Sequence, residues 1–402
     1  MHIKRLIATG AVALAAGLLS APVQAQESIK IGWSISKTGP FAAGASVTTL
    51  PNYQVWVKEV NDAGGIMLKS LNKKMKLEVV EYDDRSNSEE MIKAVERLAE
   101  QDKVDIILPP WSTGLNLAAA PVFHRLGYPQ LAVTANTNRA VEMSQRWPGL
   151  SFWLGLPSEL VDGLVDTLTK LQKEGKIGSK IALISVSDQF GIEQSTAARE
   201  GLKKAGFDIV YDKSYPFGTQ DMQPVLKEAH AASPDSLIAF SYPPDTFGIT
   251  DTAKVIGFNP KVFFVGVGTA FPAFKGKYAA GAEGVMGIGG SNGNLPGVKW
   301  YIQRHKEIIG REPDRWASPV TYASLQVLQQ AIERVGKIDR PAIIKEISTG
   351  EFDTIIGKIK LVDGQNKNIW AVGQWQGGEF MGVAPLAKDG AVAPIVPKPS
   401  WQ

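Results

Sequence analysis

Short apolar runs alternate with amphipathic stretches along almost the whole chain. Ile29-Lys30-Ile31-Gly32-Trp33 opens the series as a strand and passes into a loop over residues 34–46. A helix is predicted over 53–61, stopping at Ala63-Gly64-Gly65, where glycine takes the left-handed C′ conformation cheaply. Residues 76–82 form the next strand. Met91, Ile92, Val95, Leu98 and Ala99 then repeat at helical spacing on one face. Strands at 105–108 and 129–133 flank a small-residue helix over 116–124.

The pattern restarts after Trp147-Pro148-Gly149. Ser158 is placed to cap a helix carrying Leu160, Leu164, Val165, Leu168 and Leu171. Strands follow at 180–186, 208–215, 236–240 and 261–265, with helices over 193–205 and 222–232. Strand–helix alternation of this kind predicts parallel sheets covered by helices on both faces. The fold class is therefore α/β, with two doubly wound lobes. Helical patterns at 298–309 and 320–335 come too late for a lobe ending near residue 150, so they are expected to return to it. The division is lobe 1 at 28–150 plus 290–350 and lobe 2 at 151–289 plus 351–402. Strands are expected near 355–361 and 368–375, and the Pro- and Gly-rich tail from Gly377 reads as a surface strap.

Composition adds the compartment. Lys4 and Arg5 precede an apolar run over 6–19, and Val23-Gln24-Ala25 offers the small residues a signal peptidase reads. The run falls short of the ~20 residues of a membrane span, so residues 1–25 are expected to be a cleaved signal peptide and the mature protein periplasmic. The 402-residue chain has no cysteine. That excludes a disulfide framework, a thiolate metal site and a lipid-bearing cysteine. Without Lys4 and Arg5, the basic side chains outnumber the 40 acidic ones by one. Such a balance argues against nucleic acid as a partner.

Five segments lie in one order: Thr38-Gly39-Pro40-Phe41-Ala42, Val60-Asn61-Asp62-Ala63-Gly64-Gly65-Ile66, Asp83-Asp84, Val104-Asp105-Ile106-Ile107 and Ala118-Ala119-Ala120-Pro121-Val122. In order and spacing they resemble the type I periplasmic binding proteins of the leucine/isoleucine/valine-binding group, which serve ATP-driven importers. The resemblance spans essentially the whole mature chain. It implies two lobes joined by a three-strand hinge with the ligand closed between them, and an inner-membrane ABC permease with a cytoplasmic ATPase as partner. A monomer without cofactor or metal is expected.

In open α/β sheets the ligand crevice lies at the carboxyl ends of the strands. Ser112-Thr113-Gly114 and Ala135-Asn136-Thr137 both follow strands there. Hydroxyls and free N–H groups at helix N-termini favour a carboxylate. The same Ser and Thr residues also suit simple helix capping. In the amino-acid binders of the group, an acid from the second lobe pairs with the ligand ammonium. By the resemblance that position falls at Gly268, which has no acid. Aromatic contacts correspond to Phe190 and Tyr242, and Trp111 precedes the hydroxyl pair. Leaving a buried ammonium unpaired costs ~3–5 kcal/mol, unless Asp188, Asp245 or Glu283 substitutes. A ring burying ~150–250 Å² at ~25 cal/mol/Å² gains ~4–6 kcal/mol before the cost of association. The expected ligand is thus a small-molecule carboxylate with an aromatic or aryl-aliphatic body, at a site of Trp111, Ser112, Thr113, Ala135, Thr137, Phe190, Tyr242 and Gly268. Trp33, Phe41 and Phe271 are read as packing. The alternatives are a branched-chain amino acid or amide binder, or a receptor presenting ligand to a membrane sensor.

Enzyme readings find little footing. Gly289-Gly290-Ser291-Asn292-Gly293 has the letters of a nucleophile elbow, yet Asn294-Leu295-Pro296-Gly297 is loop-like and no acid separates Ser291 from His305. His124, His230 and His305 lack ligand spacing for a metal.

Overall fold

The computed structural model describes residues 28–401. The expected signal peptide lies outside the described residues. The first sheet contains β1 (Ser28–Ile35), β2 (Ile66–Leu68), β3 (Lys73–Asp83) and β4 (Ile106–Leu108), in the order β2-β3-β1-β4. β1 pairs in parallel with both β3 and β4, while β2 runs antiparallel to β3. Next to these, β5 (Gln130–Ala132) and β6 (Leu150–Phe152) form a parallel pair. The second sheet includes β7 (Lys180–Val186), β8 (Asp208–Tyr215), β9 (Ser236–Phe240), β10 (Val262–Val265) and β11 (Met286–Ile288). A hairpin of β12 (Phe352–Thr354) and β13 (Gly357–Ile359) stands apart, and β14 (Val372–Gln376) and β15 (Glu379–Ala384) complete the second sheet in the order β15-β14-β11-β10-β9-β7-β8.

The doubly wound α/β architecture with two lobes follows from these pairings. β7 is buried from Ile181 to Val186 and β9 and β10 throughout, as expected of parallel strands covered on both faces. The returning edge departs from the all-parallel expectation: β14 is antiparallel to β11, and β15 to β14. β15 also corrects the reading of the tail as a strap from Gly377, because Phe380, Val383 and Ala384 are core residues. Only beyond it does the chain run as a strap, with Ile395 N donating to Gln374 Oε1 at 2.8 Å and Lys398 N to the Lys261 carbonyl at 2.8 Å.

Two late helices pack against the helix Leu50–Asp62. Trp56 Nε1, on the helix Leu50–Asp62, donates to Gln329 Oε1 on the helix Ala317–Val335 at 3.2 Å. Arg304, on the helix Pro296–Ile309, reaches Glu59 Oε1 at 2.5 Å. Two segments fall elsewhere than the sequence boundaries put them. β6, read as the start of lobe 2, pairs with β5 of the first lobe. The β12–β13 hairpin, also read into lobe 2, lies against the helix Ala317–Val335: Ile355 N donates to Gln326 Oε1 at 2.9 Å. Apolar pattern names an element but not the sheet it joins. Ser158 does not cap its helix either. The helix Pro157–Lys173 starts one residue earlier, and Glu159 Oε2 accepts from Leu156 N at 2.9 Å.

Candidate functional site between the lobes

β4 ends at Pro109-Pro110, where the missing N–H groups stop the ladder. Tyr53 Oη and Asn116 Nδ2 each donate at 2.8 Å to the carbonyls of Pro109 and Pro110, respectively. The chain then turns at Ser112, whose φ of 88° and ψ of 156° lie in a region glycine tolerates and serine does not. That strained turn points the helix Thr113–Leu126 away from the strand tips and makes Ser112 its cap, with Oγ accepting from Leu115 N at 3.2 Å. The amides of Thr113 and Gly114 have no intrahelical acceptor.

The loop after β5 locks onto this helix end. Thr134 Oγ1 accepts from Ser112 N at 3.1 Å, and Asn136 N donates to Thr113 Oγ1 at 3.2 Å. Asn136 Nδ2 goes on to the Leu154 and Gly155 carbonyls at 3.2 and 2.8 Å, tying the strand tips to the first crossing between lobes. Trp111 Nε1 donates to Thr48 Oγ1 at 2.7 Å. Its indole lies so close over Gly44 that a Cβ there would sit 2.1 Å from the ring.

The facing wall comes from lobe 2. Tyr242 follows β9 and precedes the helix Pro243–Val255, and Asp188 caps the helix Gln189–Lys204 through Gly191 N at 2.9 Å. Tyr242 Oη donates to Asp188 Oδ2 at 2.7 Å. Burial raises the Asp188 carboxyl above its ordinary range, against the pull of these bonds, and lifts the Tyr242 phenol well above its usual value. Asp245 lies deeper, 3.2 Å from Tyr215 Oη, with its carboxyl pushed up by burial to about 6. Glu283 is remote, accepting from Gly377 N.

Across the gap the rings touch. Phe41 and Trp111 of lobe 1 lie 5.5 Å, centroid to centroid, from each other and each 5.5 Å from Tyr242. Phe217 is 5.0 Å from Phe41, and Phe190 is 5.3 Å from Tyr242. They leave about 20 Å³ between the lobes. Thr137 Oγ1 donates to Glu193 Oε1 at 2.8 Å, a further bond across the cleft.

Of the residues picked from sequence, Trp111, Ser112, Thr113, Phe190 and Tyr242 converge on this cleft. Ala135 packs behind it among Ala120, Ala132 and Ala140, and Thr137 serves the bond to Glu193. Gly268 has φ +107°, and a Cβ there would lie 2.9 Å from Pro243 Cα, so this position excludes an acid on backbone grounds. Trp33 and Phe271 are core residues, whereas Phe41, read as packing, sits inside the ring cluster. Sequence reasoning missed Thr48, Leu154, Val267 and Trp316 on the cleft wall and Phe217 in the ring cluster. One signal was available: Asp314, whose Oδ1 accepts from Trp316 N and Ala317 N at 2.7 and 2.8 Å, marks Trp316 as the start of a helix.

Residues 28–379 match the model of the periplasmic binding protein family. The chain belongs to that family. Its relatives include Leu/Ile/Val-binding protein homolog 7 of Brucella suis, 26% identical over 96% of this chain and 97% of the relative. A solute-binding protein of an ABC transporter from Rhodopseudomonas palustris, solved with 3,4-dihydroxybenzoic acid, superposes with a TM-score of 0.76 at 18% identity, over 93% and 99% of the two chains. A leucine-binding protein from Thermotoga maritima gives 0.72 at 21%, over 89% and 98%. At these identities the solved structures establish a shared fold. Members of this family are solute binders that work with ABC permeases, and its homologues are exported to the periplasm.

Proposed function

We propose that this binding protein takes a small carboxylate with an aromatic or aryl-aliphatic body into the interlobe cleft, without turnover, and presents it to an inner-membrane ABC permease with a cytoplasmic ATPase. The ring cluster facing a helix N-terminus carries the reading. Trp111, Phe190 and Tyr242 supply flat apolar walls from both lobes, with Phe41 and Phe217 packed against them. The Thr113 and Gly114 amides, with the Thr113 hydroxyl, suit a carboxylate head, and a helix N-terminus adds ~0.3–1 kcal/mol to that charge. The lobes or the rings must part to admit such a ligand, and closure over it is favoured only by contacts made in the closed form. That the Rhodopseudomonas palustris neighbour was solved with an aromatic acid agrees with this choice.

Asp188 favours a second reading, an α-amino acid. Its carboxylate is held at the cleft wall by Tyr242 and is half-buried, so it offers a partner for an ammonium group. The Brucella suis relative's description fits that ligand. Calorimetry with benzoate, phenylacetate, benzamide and leucine separates the two. Benzoate or phenylacetate is expected to bind and leucine not; leucine binding with no response to either aryl acid overturns the preference. Trp111→Ala is expected to abolish aryl-acid binding.

A further inference from the structure

A larger cavity, about 280 Å³, lies behind the cleft. Leu154 and Trp316 line both spaces and so stand between them. Every crossing between the lobes contributes to its wall: Leu154 in the first, Gly290-Ser291-Asn292 in the second, and Asn368-Ile369-Trp370 in the third. The glycine-rich run with the letters of a nucleophile elbow thus forms a cavity wall. Leu295, Val298 and Val320 make much of the remainder apolar.

One cation points to what this space accepts. Lys388 lines the cavity on the loop after β15, half-buried, with Nζ donating to Asn368 Oδ1 and the Ile369 carbonyl at 2.6 Å each. The Trp370 ring lies 4.9 Å from the same nitrogen. Among the described residues no carboxylate forms an ion pair with Lys388. An ammonium has three donors, and the two acceptors in place are neutral, so a donor and the charge itself are left over. Burial without a counter-charge lowers its pKa to about 8. Buried Ser291 and Asn292 add polar atoms to the wall. Asp389 lies at the rim but is exposed, where water screens its charge.

We infer that this hinge cavity is a second binding site, separate from the interlobe cleft, for a small organic monoanion whose carboxylate pairs with Lys388 and whose apolar body lies against Trp370, Leu154 and Val320. The volume approaches the lower end of the ~300–1,000 Å³ found for ligand pockets, which suits a medium-chain acid. An occupant touches all three crossings, so its contacts change when the lobes rotate. Occupancy therefore biases closure to the extent that it prefers one lobe arrangement.

The test uses octanoate, its neutral amide octanamide, and an octanoate brominated at the far end. Crystals with the brominated acid are expected to show the anomalous bromine peak among Leu154, Val320 and Trp370. In calorimetry, Lys388→Met should weaken octanoate by about tenfold or more, the loss of one charge-assisted hydrogen bond. Lys388→Arg should retain binding within a few-fold, and benzoate binding in the cleft should be unchanged in both. A bromine peak confined to the cleft, equal binding of octanoate and octanamide, or an unaltered octanoate affinity in Lys388→Met overturns the inference. Failure of both benzoate and phenylacetate to bind, with octanoate still dependent on Lys388, would sink the cleft proposal and leave this one standing.

Discussion

Glu193 offers the most direct test of how the lobes hold together. It lies on the helix Gln189–Lys204 of lobe 2, and its Oε1 accepts from Thr137 Oγ1 of lobe 1 at 2.8 Å. Oε2 accepts from Asn138 N at 3.4 Å, and Gln189 Nε2 donates to Oε1 at 3.0 Å from one turn earlier. Glu193→Ala removes both cross-cleft bonds, which exist only while the lobes are together. A hydrogen bond to a charged group contributes ~1.5–3 kcal/mol. The half-buried site and the length of the second bond reduce the pair to ~1–2 kcal/mol in total. The closing equilibrium should therefore shift about 5–30-fold toward the open form. Apparent affinity scales with the closure-competent fraction, so the Kd for a cleft ligand rises by up to that factor. Small-angle scattering should show a larger radius of gyration in the variant, and calorimetry the weaker binding. Glu193→Gln, which keeps an acceptor, is expected to fall between. An unchanged scattering profile together with an unchanged Kd would refute the latch.

Three further outcomes follow from the same geometry. Ser112→Gly relieves a backbone strain of ~1–3 kcal/mol at the loss of a cap worth only tenths over glycine, so urea unfolding should show a gain of ~1 kcal/mol; Ser112→Ala keeps the strain, loses the cap, and should cost ~1 kcal/mol. Equal effects of the two would show the turn to be unstrained. For Asp245, burial holds the folded pKa at about 6 against about 3.9 in the unfolded chain. The folded state then binds more protons between those values, so this group's stabilisation is full below about pH 4 and is lost as pH rises through 6, by ~3 kcal/mol at most. Asp245→Asn should flatten the dependence of unfolding free energy between pH 4.5 and 7, and curves that stay parallel would contradict the assignment. Gly44→Ala drives a methyl into the Trp111 indole; overpacking of this kind costs ~1–3 kcal/mol, and the displaced ring should also weaken aryl-acid binding, so a variant with native melting temperature and affinity would show that the indole is free to move.

Much of the cleft was legible because its parts sit at predictable places on the strands. Ser112 and Thr113 follow an apolar strand and open a helix, and Tyr242 and Phe190 do the same in the second half. Chain order is enough to bring such residues to one edge of a parallel sheet. Thr48, Leu154, Trp316 and Phe217 were invisible for the opposite reason. Each comes from a loop, a crossing or a short helix whose direction depends on what it packs against, and no periodicity marks a side chain that turns toward a partner lobe.

The chain by itself determined the strand–helix alternation, the two wound halves and the strand-end loops that carry the hydroxyl and aromatic pairs. These depend on apolar periodicity, capping and chain-breaking residues, all local. Tertiary structure decided the rest: that β14 and β15 return antiparallel to close the second sheet, that β12 and β13 stay with lobe 1, and that Gly268 has no room for an acid. It also gathered the three crossings and Lys388 around one cavity. Sheet membership and cavity walls arise from contacts between residues hundreds of positions apart, where burial and steric fit act only once the lobes have formed.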